Sequence, residues 1–261
     1  MIFERTTAES RMIGHYQALI HRMERICGLV PFQLGVIPST GDAYPFYVFY
    51  SQGVANKPSA SRFCLSAGIH GDEPASTEAL VRFLEATPDI GERGLTIFPC
   101  LNPVGYDVGT HENGEGLDLN RLFHVDAPPI EVALVRQAVA GCRYDLFLCC
   151  HEDTEASGFY LYEVKKGKGP RLGALTIAKI QQAHSIDQRP HIDGRVNREG
   201  MLLPTNWNRR KNGWSMALYM YRAGTSHCVI LETATCQDFE TRVTIHLEAL
   251  RHTFALARDT E

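Results

Sequence analysis

Short apolar runs that alternate with amphipathic segments constrain this chain most. "RFCLSAGI" (62–69), "LTIFPCLN" (95–102), "DLFLCC" (145–150) and "HCVILETA" (227–234) read as strands. Strands buried on both faces lose the apolar–polar alternation and become nearly continuous apolar runs. Helices are expected at "ASTEALVRFLEA", at "PPIEVALVRQAVAG", over about 171–184 and over 238–257, with "FYLYEV" as a further short strand. In the last helix Phe239, Val243, Ile245, Leu247, Leu250 and Phe254 fall mostly on one side. Strands interleaved with helices predict an α/β fold: a three-layer α/β/α sandwich around a mixed, mostly parallel sheet of about eight strands. Ahead of these, Met12, Tyr16, Leu19, Ile20, Met23 and Ile26 repeat at helical spacing, predicting an amphipathic helix over 8–27. Residues 31–37 and 44–51, joined by "PSTGDA", predict a β-hairpin with a longer loop.

The 261 residues show no internal repeat or linker, so one domain is the simplest reading: a helix and hairpin over 1–55 and a catalytic core over 56–261. A net charge of -4 argues against nucleic acid as partner. No apolar run approaches the roughly 20 residues that span a bilayer. "MIFERTTAES" lacks the basic start and apolar stretch of a signal peptide. Most of the eight cysteines sit inside apolar runs and none forms a CxxC pair. Buried free thiols fit a reducing, cytoplasmic setting and make a cysteine zinc site a poor reading. Two stretches break the rhythm: 103–120, rich in Gly, Asn and Asp, and 188–213, with six Arg or Lys against two acids. Long irregular segments in a compact domain are usually functional loops.

The first strand ends in "SAGIHGDEPAS" (66–76), which carries His70, Asp72 and Glu73. A polar turn between strand and helix is the plain explanation. His-x-x-Glu is weak by itself, since His21 and Glu24 share the spacing on the first helix. Context separates the two pairs, because ligands in open α/β sheets bind at the carboxyl ends of strands. Gly68 and Gly71 permit close backbone approach there. A catalytic zinc site needs a third protein ligand and an open position. His151, directly after "DLFLCC", can supply the ligand, although alone it reads as a histidine at a strand end. His15, His21, His246 and His252 fall on terminal helices, and His227 falls at a strand start. Glu232 follows four apolar residues in "HCVILETA". A carboxylate there is unfavourable unless paired or functional. Three strands therefore direct His70 with Glu73, His151 and Glu232 towards one rim.

"GIHGDEPAS", "LNPVGYD", "GLDLNR", "HED" and "ILETA", in that order, resemble the zinc carboxypeptidases of the carboxypeptidase A type. The motifs span residues 64–235, about two thirds of the chain. "GIHGDE" and "DLNR" are most similar to the bacterial branch that includes murein peptide amidases, which are cytoplasmic and cleave cell-wall peptides. The resemblance implies a carboxypeptidase-like fold and one zinc ion per chain on His70, Glu73 and His151. It makes Glu232 the general base, and Asn120 and Arg121 the clamp for a substrate carboxylate, which a guanidinium fork matches bidentately. Where that branch has an arginine that stabilises the oxyanion, "GTHENGEG" places His111. Arg189, Arg195, Arg198, Arg209 and Arg210 form a pool that could substitute. The tyrosine that closes over substrate has only neighbours here, in Trp207, Trp214, Tyr219 and Tyr221.

The expectation is a zinc metallocarboxypeptidase acting on a peptide with a free carboxylate, cell-wall peptides among the choices. The alternative is an N-acyl amino acid deacylase resembling aspartoacylase and succinylglutamate desuccinylase. The 29 residues after Glu232 read as one helix, which favours the peptidase, since the deacylases usually carry a further β-rich domain there. A zinc-binding scaffold without catalysis is the third reading. Acids near His151 (Glu152, Asp153, Glu155) and the basic 188–213 loop pull the choice of substrate in opposite directions, and oligomeric state is left open.

Overall fold

The computed structural model describes residues 16–39, 43–167, 171–204 and 213–258. The amphipathic start becomes helix α1 (Tyr16–Glu24), which buries Tyr16, Leu19, Ile20 and Met23; Met12 lies outside the described residues. The hairpin is β1 (Leu29–Pro38) with β2 (Ala43–Ser51), its register shifted between Gln33 and Gly35, as a bulge does. Next come β3 (Phe63–Ser66), α2 (Pro74–Glu85), β4 (Leu95–Phe98), α3 (Pro103–Val108), α4 (Ile130–Ala138), β5 (Leu146–Asp153) and β6 (Tyr160–Lys165). They are followed by α5 (Leu172–Ile180), the short strands β7 (His191–Ile192), β8 (Arg195–Val196) and β9 (Met201–Leu202), then α6 (Met216–Ala223), β10 (His227–Ala234) and α7 (Phe239–Arg258).

Eight strands form one mixed sheet in the order β1-β2-β4-β3-β5-β10-β6-β9. Its centre is parallel, from β4 through β3 and β5 to β10. The hairpin joins by antiparallel pairing of β2 with β4, and β6 pairs antiparallel with β10. Each face carries its own core. One packs α1, α2, α5 and α7 through residues such as Met23, Leu80, Ile177 and Leu250. The other packs α3, α4 and α6 through Val104, Val132 and Leu218. Sheet and helices thus match the expected three layers.

Three local features differ from the sequence reading. The first strand stops at Ser66, because Gly68 turns the chain with φ +64. Strand β5 runs on through His151, Glu152 and Asp153, since β10 continues beside it to Ala234. The two irregular stretches also contain elements: α3 in the first, and β7, β8 and β9 in the second, with α6 just beyond it. All eight cysteines are free and six are buried. Among the described residues, no helix is long and apolar enough to cross a membrane.

Candidate metal centre

The parallel strands β3, β5 and β10 end along one rim of the sheet. Ser66 pairs with Cys149, and His151 with Glu232, so the chain leaving β3 passes close to the ends of its neighbours. It then turns tightly through His70–Glu73 into α2. Gly71 makes that turn possible, because a Cβ there would sit 1.9 Å from the carbonyl carbon of Gly105 in α3.

The turn brings His70 and Glu73 against His151, and all three are buried. His70 Nδ1 lies 2.6 Å from Glu73 Oε1, and His151 Nδ1 lies 3.0 Å from Glu73 Oε2. Burial opposes charge on His70, but Glu73 and then Asp118 outweigh it and push its pKa up to about 10. Burial likewise opposes the Glu73 carboxylate, yet the two imidazoles hold it far below the usual carboxylate range. Glu73 Oε2 is buried without a hydrogen bond of good geometry. Two imidazoles and a carboxylate converging in a buried pocket are a donor set suited to a divalent metal, and the nitrogen–oxygen mixture suits zinc.

His111 stands nearer this centre than a substrate contact requires. Its ring stacks on His70 with centroids 3.7 Å apart. Ligand atoms of His70, Glu73 and His111 all lie within 4.8 Å of one another, a set that does not include His151. The two groupings compete for the third position. Burial favours His151: the His111 side chain is 40% exposed, and its two nitrogens face Asp72 at 3.4 Å and Asp118 at 4.0 Å.

Glu232 lines the same cavity, of about 460 Å³, together with all six other predicted site residues. Among the described residues nothing hydrogen-bonds its carboxylate. Burial first, and then the negative field of Glu73, hold its pKa well above the usual range. A carboxylate so placed takes up a proton more readily than an exposed one, as a general base requires.

Asn120 and Arg121 sit on a short turn capped by Asp118, whose Oδ1 accepts from Asn120 N at 2.9 Å. Asn120 Oδ1 accepts from Met216 N at 3.0 Å, so its carbonyl faces α6 and its amide nitrogen remains to donate. Arg121 donates from Nη1 to Asn120 O at 3.1 Å, and its Nε lies 3.5 Å from Asp118 Oδ2. Sequence reasoning passed over Asp118, which also lies 3.4 Å from His70 Nε2. The Asx turn implied by "DLN" was its available signal.

Among the described arginines of the pool, Arg189 lines the cavity. Its Nε meets both Asp187 oxygens, at 3.1 and 3.0 Å, and Nη2 lies 2.7 Å from Asp153. The acidic and basic hints in the sequence thus meet in the pairing of Arg189 with Asp153. Arg195 and Arg198 lie off the cavity wall; Arg209, Arg210 and Trp207 fall outside the described residues. Trp214, Tyr219 and Tyr221 are also off the wall. The tyrosines that line it are Tyr160 and Tyr162 on β6, whose hydroxyls donate to Asp153 and Asp193.

Residues 59–178 match the family described as the succinylglutamate desuccinylase/aspartoacylase catalytic domain. No curated protein matches the chain by sequence. Solved structures do. A candidate metallopeptidase from Shewanella baltica is 28% identical over 93% of this chain and 91% of its own, with a TM-score of 0.75. Another from Shewanella denitrificans is 22% identical over 97% and 95%, with a TM-score of 0.80. The metallo-carboxypeptidase of Pseudomonas aeruginosa, in complex with (2-guanidinoethylmercapto)succinic acid, shares the fold: 19% identity, 94% of this chain and 68% of that one, TM-score 0.62.

Proposed function

We propose that the chain, which matches the succinylglutamate desuccinylase/aspartoacylase catalytic domain over residues 59–178 and shares the fold of metallo-carboxypeptidases, is a zinc-dependent hydrolase cleaving an amide bond next to a free carboxylate. One observation carries this reading. His70, Glu73, His151, Glu232, Asn120 and Arg121 line a single cavity at the carboxyl ends of three strands. His70, Glu73 and His151 are the residues that would hold the metal. When bound, zinc would supply a Lewis acid that lowers the pKa of water and polarises the carbonyl.

The protein's own groups do the rest. Glu232 takes a proton from the attacking water and returns it to the leaving amine, a double use that its raised pKa suits. Asp118 fixes the ring orientation of His70 through Nε2. Arg121 meets the substrate carboxylate, helped by the Asn120 amide. His111 lies between Asp72 and Asp118, and its proposed role is to donate to the oxygen that becomes negative.

A peptide substrate is the first reading, supported by the metallopeptidase relatives that cover nearly the whole chain. The succinate compound held by the Pseudomonas aeruginosa protein supports a carboxylate-bearing ligand. An acylated amino acid is the second reading, supported by the family match over 59–178. Hydrolysis of a panel of peptides, cell-wall peptides among them, and of N-acyl amino acids, with and without chelator, tests both. Cleavage that a chelator stops supports the enzyme, and the preferred panel names the substrate class. A chain that binds zinc and cleaves neither panel is a scaffold.

A further inference from the structure

The residue placed to cap α2 is occupied elsewhere. Glu73 holds the N-cap position, yet its side chain bonds to none of the helix's own N–H groups. Its oxygens face His70 and His151 instead. The start of α2 still has donors to satisfy. Pro74 has no N–H, and the next two are met from another element: Glu152 Oε1 accepts from Ala75 N at 2.7 Å and from Ser76 N at 3.3 Å. The other Glu152 oxygen meets Arg242 Nη1 in the first turn of α7. The Glu152 side chain is fully buried, and that of Arg242 is 5% exposed.

Glu152 directly follows His151 on β5, so strand alternation sends the two side chains to opposite faces. One carboxylate therefore ties together the strand that carries His151, the helix start that carries Glu73, and α7. We propose that Glu152, held by Arg242, is a positioning residue that fixes the separation of Glu73 and His151, and through it the affinity and geometry of the metal site. The inference rests on the zinc reading above.

The fold contains its own control. Glu163 on β6 caps α5 in the same way, accepting from Leu172 N at 2.8 Å and pairing with His227 at 2.6 Å. Neither β6 nor α5 carries a proposed ligand. Losing Glu163 should weaken packing only, whereas losing Glu152 should also displace the ligands.

The test compares Glu152→Gln, Arg242→Lys and Glu163→Gln with the wild-type chain. Zinc affinity is measured by chelator competition, and ligand geometry by the visible absorption of the cobalt(II)-loaded protein. Thermal unfolding reports stability separately. Glu152→Gln should weaken zinc binding about 10- to 100-fold and shift the cobalt bands. Arg242→Lys, which keeps the charge but loses the fork, should shift both in the same direction by less. Glu163→Gln should lower the melting temperature and leave zinc affinity and cobalt bands at wild-type values. Wild-type affinity and bands in Glu152→Gln overturn the proposal, as does equal weakening in Glu163→Gln. Should Glu152→Gln fail to fold, Arg242→Lys decides alone, and wild-type affinity and bands in it overturn the proposal. A wild-type chain that binds no zinc overturns the underlying reading instead, a result distinct from equal binding by wild type and variant.

Discussion

Glu232 on β10 and His151 on β5 are register partners on adjacent parallel strands. Neighbouring strands lie about 4.8 Å apart, and residues paired in register point to the same face of the sheet. Glu232 therefore stands beside the proposed ligands without entering their contacts. Glu73 is the carboxylate between the imidazoles, and Glu232 is the one left free.

Replacing Glu232 with glutamine should keep the fold and the zinc while removing the proton acceptor. Turnover should fall by about 10²- to 10⁴-fold, the usual contribution of a general acid–base group. Metal analysis and steady-state kinetics on the same preparation check this. Near wild-type turnover would reduce Glu232 to a strand-end carboxylate.

Metal content separates the histidines. The wild-type chain should hold one zinc, and His70→Ala and His151→Ala should lose it. His21→Ala should keep it, because His21 is exposed on α1. His111→Ala should also keep the zinc and lose turnover. A zinc-free His111→Ala protein would move His111 into the ligand set, where its distances to His70 and Glu73 already allow it.

His246 makes stability depend on pH. It is fully buried on α7, with Nε2 2.9 Å from Thr233 Oγ1 and, among the described residues, no hydrogen bond of good geometry at Nδ1. Burial lowers its pKa to about 3. The unfolded chain takes up a proton on this ring as pH falls below about 6.5, and the folded chain refuses it. The stabilisation is thus whole above that pH and is lost as pH falls towards 3. The loss is about 1.4 kcal/mol per pH unit, hence about 2 kcal/mol at pH 5. Denaturant unfolding at pH 7 and pH 5 should show a smaller drop for His246→Gln than for wild type, the subtraction cancelling what both proteins share. Equal drops would mean that the ring is charged or solvated in the fold.

How much could be read in advance follows from where the information lies. Strands β5 and β10 were legible because burial on both faces writes a continuous apolar run, and the polar residues that end each run stood out against it. Helix α6 was not legible: "MALYMYRA" is short and follows a stretch whose charges read as a loop. Arg242 was beyond reach for another reason. Its partner Glu152 lies 90 positions away, and no local pattern announces a pairing made only by the packing of α7 on the sheet. Glu152 itself was visible as part of an acidic cluster near His151, but its carboxylate is taken up by the start of α2 and by Arg242, which the local sequence does not announce.

Arg121 decides what the protein grips. Its side chain is 43% exposed; Nε lies 3.5 Å from Asp118 Oδ2 and Nη1 donates to Asn120 O at 3.1 Å, which leaves further N–H groups for an incoming anion. A hydrogen bond to a charged group contributes about 1.5–3 kcal/mol, or roughly 10- to 200-fold in rate. Peptides with a free terminal carboxylate should be cut faster than their C-terminal amides by about that factor. Arg121→Lys should lose much of the preference, because an ammonium cannot make two parallel bonds. An acylated amino acid carries the same carboxylate, so chain length must separate the two substrate classes. A carboxypeptidase accepts several residues ahead of the cleaved bond, whereas a deacylase pocket closes after one acyl group. The kinetic comparison is kcat/KM for free and amidated peptides of two to five residues beside the matching N-acyl amino acid. Equal cleavage of free and amidated peptides would remove Arg121 from the site and point to an endopeptidase.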